Sequence, residues 1–394
     1  MSRALSFALF ILVALAITGA VHYYLWARLV RDVGLGPVPY RLLTGLFVAL
    51  FSSVPLTFVL STTLPAESAR PILLCTYSWM GLMFFLLVLV AGADLVRVLL
   101  RVSELAAGRP PLDPGKRLTL ARLMAGGVAL VTAGMGAAAL RGGLGRVSVR
   151  ELRIRLARLP RELSGLTIVQ LSDIHLGPTL GKEFMQDIVA RTNALEPDVV
   201  AITGDLVDGS VEHLREHVAP LAELRARHGV FFVTGNHEYY SGPVAWCAEL
   251  ERLGIRVLRN ERVSIGNGDA SFDLAGTDDY NSARFGHGHG EDLERALTGR
   301  DESRELILLA HQPRTIKEAK DYGVGLQLSG HTHGGQLWPW NYLVHLQQPV
   351  VSGLARFGRS QVYVSNGTGY WGPPMRLGAP AEITRVTLEP GAPG

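Results

Sequence analysis

The sequence predicts an N-terminal α-helical transmembrane bundle of about four helices followed by an α/β domain, and three observations predict it. Four long stretches in the first third are almost free of charge. The remainder holds five short apolar runs rich in β-branched residues, with helical periodicity between them. A polar motif stands directly after each run.

The membrane segments come first. Residues 4–27, 42–64, 71–93 and 118–140 are each near or above the ~20 residues that cross a bilayer as a helix. Charges gather at their flanks, among them Arg28, Arg31, Arg41, Arg70, Asp94, Arg97 and Arg101. The first reads as a span and not a cleaved leader, because it lacks an A-x-A pattern and runs into Tyr23, Tyr24 and Trp26, which suit an interfacial belt. No ionisable residue stands out at mid-span, and Pro55 alone interrupts a segment, which argues against a transport path.

Sidedness follows from basic residues. Arg28, Arg31, Arg41, Arg97, Arg101, Arg109, Lys116, Arg117 and Arg122 lie on one side, against Arg3 and Arg70 on the other. By the positive-inside rule this places a multi-pass protein in the cell membrane with its second domain extracytoplasmic. Arg141, Arg146, Arg150, Arg153, Arg155 and Arg158 weaken that lean, although some belong to a strand in which Leu152, Ile154 and Leu156 alternate with arginine.

Gly142-Gly143-Leu144-Gly145 reads as the linker, over residues 142–146, to a domain covering residues 147–390. Its strand runs are residues 166–171, 199–203, 230–234, 306–310 and 326–329, and its crossover helices are residues 182–195, 211–227 and 243–253. A Gly- and Asp-rich stretch, residues 264–305 with a strand at 272–276, is expected at the rim of a site.

The motifs after the strands carry the chemistry. They are Asp173-Ile174-His175, Gly204-Asp205-Leu206-Val207-Asp208, Gly235-Asn236-His237-Glu238, His311 and Gly330-His331-Thr332-His333. In an open α/β sheet, side chains just past the carboxyl ends of strands collect along one edge, so residues far apart in sequence can meet. Carboxylates, imidazoles and an amide without thiolates suit iron, manganese or zinc and not a structural zinc site.

In this order the motifs resemble the calcineurin-like metallophosphoesterase superfamily over roughly residues 147–390. The tail at residues 363–378, with residues 330–336 and 236–242, is similar to the bacterial YkuE/YaeI-like branch. Members of that branch are membrane-associated phosphoesterases, some linked to lipid-sugar pyrophosphates. The resemblance implies a four-layer αββα domain and two divalent metal ions. Asp173, His175, Asp205 and His333 would hold one ion, and Asp205, Asn236, His311 and His331 the other, with Asp205 as the bridge. It also implies attack by a metal-bound hydroxide, with His237 as the acid for the leaving oxygen and Asp208 as the carboxylate that orients it.

Two departures bear on substrate. Protein Ser/Thr phosphatases carry Arg directly after the second Asp of G-D-x-x-D, where this chain has Gly209. Relatives often have Arg where Asn366 stands, which leaves Arg376 as the anion-binding candidate. Tyr239 and Tyr240 stand beside His237, where aromatic rings suit a leaving-group pocket or the core, and Tyr239 is taken as the substrate-contact candidate. Trp338 and Trp340 suit either a membrane interface or the core of their own loop.

The expected activity is hydrolysis of a phosphodiester or pyrophosphate, with lipid-linked esters among the substrates. Alternatives are a phosphomonoesterase, a cytoplasm-facing pyrophosphatase acting on a nucleotide-activated glycolipid precursor, and a membrane sensor or transporter with a metal-binding domain. The balance of 38 Lys+Arg against 35 Asp+Glu is too even to suggest nucleic acid, and two cysteines give no disulfide framework. The His213-to-His217 spacing fits an inverted zinc protease and residues 367–372 fit a dinucleotide loop, but the first lacks a third ligand and prolines follow the second. His287, His289, Asp278 and Asp279 read more readily as loop or core polar residues than as ligands.

Overall fold

The computed structural model describes residues 3–63, 66–110, 113–268 and 270–391. The chain divides into two compact units, residues 1–140 and 141–394.

The first unit holds helices α1 (Arg3–Trp26), α2 (Pro37–Thr63), α3 (Ala66–Ala106) and most of α4 (Pro114–Leu144). All four are long and apolar enough to cross a membrane. The α3 helix runs well past the expected end at residue 93, because a helix stops at backbone signals and not where polarity changes. Asp94, the first acid beyond the apolar stretch, accepts hydrogen bonds from Tyr24 at 2.7 Å, Arg28 at 2.8 Å and Arg97 at 3.1 Å. The chain leaves the helical conformation only near Gly108, whose φ of 66° suits a helix terminus. Likewise α4 continues to Leu144, through most of the expected linker, since glycine weakens a helix by about 1 kcal/mol relative to alanine but does not remove a donor as proline does.

His22, about one turn before the end of α1, is 5% exposed. Its Nδ1 donates to the Thr18 carbonyl at 2.8 Å and its Nε2 accepts from Trp79 Nε1 at 3.1 Å. Both nitrogens are satisfied inside the bundle, which removes the cost of placing a polar ring there. Pro71 joins Pro55 as a second proline within a helix.

The second unit contains two six-stranded sheets. The first has the order β1 (Ser148–Leu156), β12 (Glu382–Pro390), β2 (Thr167–Leu171), β3 (Val199–Ile202), β4 (Val230–Phe232) and β5 (Arg256–Val257). The second has the order β10 (Gly353–Phe357), β11 (Ser360–Val364), β9 (Leu326–Ser329), β8 (Leu306–Leu309), β7 (Ala270–Gly276) and β6 (Glu261–Asn267). Strands β2 to β5 are parallel, as are β7, β8, β9 and β11.

Period-two alternation decides which side chains go where. Ile168, Val199, Ala201 and Phe231 from one sheet and Leu274, Ile307, Leu309, Leu326 and Leu328 from the other form the core between the sheets. The intervening residues Val169, Leu171, Val200, Ile202 and Phe232 face outward against α5 (Lys182–Asn193), α6 (Val211–Val218) and α8 (Pro243–Arg252), through Met185, Ile188, Leu214, Val218, Trp246 and Leu250. Ala275, Leu306 and Leu308 cover the far face of the second sheet with α9 (Leu293–Leu297) and α10 (Ile316–Ala319). The result is the expected four-layer αββα arrangement.

Candidate metal centre

The loops leaving β2, β3, β4, β8 and β9 converge. Asp173 and His175 follow β2, Asp205 and Asp208 follow β3, and His331 and His333 follow β9. Asn236 and His237 open the short helix α7 (Asn236–Ser241) after β4, and His311 lies just beyond β8. Glycine permits the crossing of these loops: Gly204 has φ 85°, and a Cβ there would lie 2.6 Å from Gly235 N and 2.8 Å from His311 Nδ1.

The donor atoms form two groups with one carboxylate near both. His175 Nε2 lies 3.0 Å from His333 Nε2, which is 3.5 Å from Asp173 Oδ1. In the second group His311 Nε2 is 3.2 Å from His331 Nδ1. Asp205 Oδ2 stands between them, 3.9 Å from His175 Nε2 and 3.1 Å from His311 Nε2. Asn236 Oδ1 is buried with no hydrogen-bond partner.

These features test whether cations suit the site. Five of the residues, Asp173, His175, Asp205, His331 and His333, hold φ of 50° to 72°, a conformation costing side-chain-bearing residues about 1–3 kcal/mol each. Clustered imidazole nitrogens and the orphaned Asn236 amide oxygen offer electron pairs at close range. Burial, with its charged neighbour His311, holds His331 down to about 3. Burial, with His175 and Arg376, depresses His333 as well, so both rings stay neutral as ligands must. At His311 burial works against charge, yet Asp205, together with Asp173 and Asp279, raises that ring well above the ordinary value. The carboxylates therefore call for positive charge between His311 and Asp205. Nitrogen and oxygen donors of this kind fit first-row divalent cations.

His237 lies outside both groups. Its Nδ1 is 2.5 Å from Asp208 Oδ1, which is also 3.2 Å from His175 Nδ1. One carboxylate thus orients a candidate ligand and a candidate acid, leaving Nε2 of each ring pointing away from it. Burial opposes charge on His237, but Asp205 and Asp208 raise it to about 9. The two imidazoles hold Asp208 down to about 2 against the effect of its own burial.

The structure assigns work to a residue the sequence reading left without a role. Glu238 is fully buried, and its carboxylate accepts from the backbone N–H groups of Asp205 at 3.0 Å, Leu206 at 2.8 Å and Gly235 at 2.7 Å. It ties the Asp205 turn to the start of α7. The capping-box position, three residues after Gly235, was the available signal.

Two substrate-contact expectations are corrected. Arg376 is 2% exposed and points into the fold, donating to the carbonyls of Gly369 and Ala379 and lying 3.2 Å from His333 Nδ1. Burial lowers it to about 10, and it is not open to a substrate anion. Tyr239 is buried against Phe285 and His289, whereas its neighbour Tyr240 is exposed with its ring 5.4 Å from that of His237. Trp371 flanks His237 from another direction at 5.6 Å.

The remaining polar residues have other partners. Arg259 pairs with Asp278 at 2.6 Å and with His289 at 3.0 Å, and Asp279 accepts from Gln312 at 2.8 Å. His213 pairs with Ser210 on the α6 surface. The stretch after β7 does reach the rim, where Arg284 donates to Tyr240 Oη at 2.9 Å.

Residues 166–335 match the calcineurin-like phosphoesterase family. A Bos taurus transmembrane protein with metallophosphoesterase domain is 38% identical over 388 residues, covering 93% of this chain and 86% of that one. An uncharacterized metallophosphoesterase of Campylobacter jejuni is 31% identical over 390 residues, covering 97% and 99%. The uncharacterized metallophosphoesterase YkuE of Bacillus subtilis is 30% identical over 251 residues, covering 62% of this chain and 86% of its own.

Proposed function

Because the chain belongs to the calcineurin-like metallophosphoesterases and carries four apolar helices, we propose that it is a membrane-anchored dinuclear hydrolase of phosphodiesters or pyrophosphates, lipid-linked esters included. The observation that carries this reading is Asp205 Oδ2 standing between two groups of donor atoms, within 3.9 Å of His175 and 3.1 Å of His311.

Asp173, His175, Asp205 and His333 would hold one divalent ion, and Asp205, Asn236, His311 and His331 the other. When bound, such ions supply Lewis acidity toward phosphoryl oxygens and lower the pKa of a water. Asp208 fixes the His237 ring through Nδ1 and stabilises its charged form. His237 then gives the Nε2 proton to the leaving oxygen as the phosphorus–oxygen bond breaks. Tyr240 and Trp371 line the approach on that side and reduce the water around the ring.

Charge favours a diester over a monoester. The position after Asp208 is Gly209, and Arg376 is spent on carbonyls, so neither supplies the additional cation that a terminal dianionic phosphate demands. The arginine distribution favours an extracytoplasmic domain, which would exclude nucleotide-linked substrates.

The test is metal analysis of the full chain in detergent, with hydrolysis of bis(p-nitrophenyl) phosphate against p-nitrophenyl phosphate in Mn²⁺, beside Asp205→Asn. Diester turnover that the variant loses supports the reading. Bound metal with no turnover of either ester favours a binding role, and no metal overturns the centre itself.

A further inference from the structure

One face beside the site is unusually apolar. Trp338, Trp340 and Trp371 are about half exposed, Tyr342 is 63% exposed and Leu346 81% exposed, with Leu343 between them at 50%. These residues come from two segments fastened together. Gln336 Nε2 donates to the Trp371 carbonyl at 2.9 Å and Gln336 Oε1 accepts from Trp371 N at 3.1 Å. Trp338 N donates to the Leu377 carbonyl at 3.0 Å. The Trp371 end of the face touches the site, 5.6 Å from the His237 ring. Soluble surfaces rarely leave so much large apolar area uncovered without a partner.

Side-chain chemistry and tethering indicate what the partner is. Residues 322–381, which supply both segments of the face, contain no Asp or Glu, although the chain has 35 of them. Indole and phenol rings favour the layer where hydrocarbon meets headgroups. The chain's own apolar helices keep a bilayer within reach at high effective concentration.

We propose that the face built by Trp338, Trp340, Tyr342, Leu343, Leu346 and Trp371 seats in the headgroup layer of the membrane that holds the four helices. The approach to His237 then opens beside lipid headgroups, where a membrane-resident phosphoester is presented to the site. The seating is a separate claim from hydrolysis and stands or falls without it.

The experiment uses the full chain, one copy per nanodisc of phosphatidylcholine with phosphatidylglycerol. Leu346→Cys carries an environment-sensitive nitrobenzoxadiazole label in a Cys75→Ser background. Cys247 is buried, and burial pushes its thiol up to about 12, so it does not compete for the label. Glu302→Cys, on an exposed turn away from the face, is the reference. The expected result is blue-shifted emission at position 346, quenched by doxyl-labelled phosphatidylcholine and shielded from aqueous iodide, with the reverse at position 302. Iodide quenching at 346 equal to that at 302 overturns the proposal. So does shielding from iodide without quenching by lipid, which would mean that protein covers the face. Leu343→Cys repeats the measurement if the first variant fails to fold.

Discussion

Replacing Gly330 with alanine should disable the metal centre while leaving the fold standing. A Cβ at Gly330 would lie 1.9 Å from Ser172 Oγ and 2.1 Å from Asp173 Oδ2. Ordinary contacts are about 3.5 Å, so the Asp173 carboxylate must retreat by roughly 1.4 Å. Displacement of a positioning group by about 1 Å can cost about 10²-fold in rate, and overpacking typically costs about 1–3 kcal/mol of stability. Gly325, at the other end of β9, provides the control, because its Cβ would meet Glu305 Oε1 at 2.2 Å, a comparable insult against a carboxylate that pairs with Arg158. Both variants should melt lower by similar amounts, but only Gly330→Ala should lose bound metal and diester turnover. Full metal content and undiminished turnover in Gly330→Ala would refute the reasoning, as would equal metal loss in Gly325→Ala.

Three further outcomes are expected. Asp205→Asn should abolish metal binding and turnover together, whereas His237→Ala should keep both metals and lose about 10²- to 10⁴-fold in rate; equal metal loss in the two sinks the separate roles. Glu238→Gln places an amide N–H against backbone donors that now meet a carboxylate, at a cost of about 1–3 kcal/mol; thermal unfolding and metal content should both fall, and unchanged values would show that the Asp205 turn holds itself. Burial raises the Glu291 carboxyl from 4.5 to about 7, so the folded state binds this proton more tightly than the unfolded one and stability falls as pH rises across that window. Glu291→Gln should therefore gain about 1–3 kcal/mol relative to the parent at about pH 8 and little at about pH 5, read from melting curves in detergent; parallel curves at both pH values would exclude Glu291.

Much of this architecture was legible in the sequence because the signals that write it are local. Alternation of Ile168, Val169, Gln170 and Leu171 identifies a strand buried on both faces. The charge-free stretches identify membrane helices by length alone, and the ordered motifs after five strands identify the donors. Their convergence follows from topology, since parallel strands put their carboxyl ends along a common edge.

What the sequence determined by itself was therefore the element order, the membrane segments and the candidate ligand set. The tertiary structure alone decided which partners those side chains meet. His22 became tolerable inside the bundle through Trp79, 57 positions away. Arg376 turned inward toward backbone carbonyls, and of the adjacent Tyr239 and Tyr240 only one faces outward. Neighbouring residues on a helix differ by about 100° in direction, and chemically identical rings carry no label saying which will face the core. Glu238 shows the same limit, because a carboxylate acquires its role from the backbone donors that distant strands bring to it.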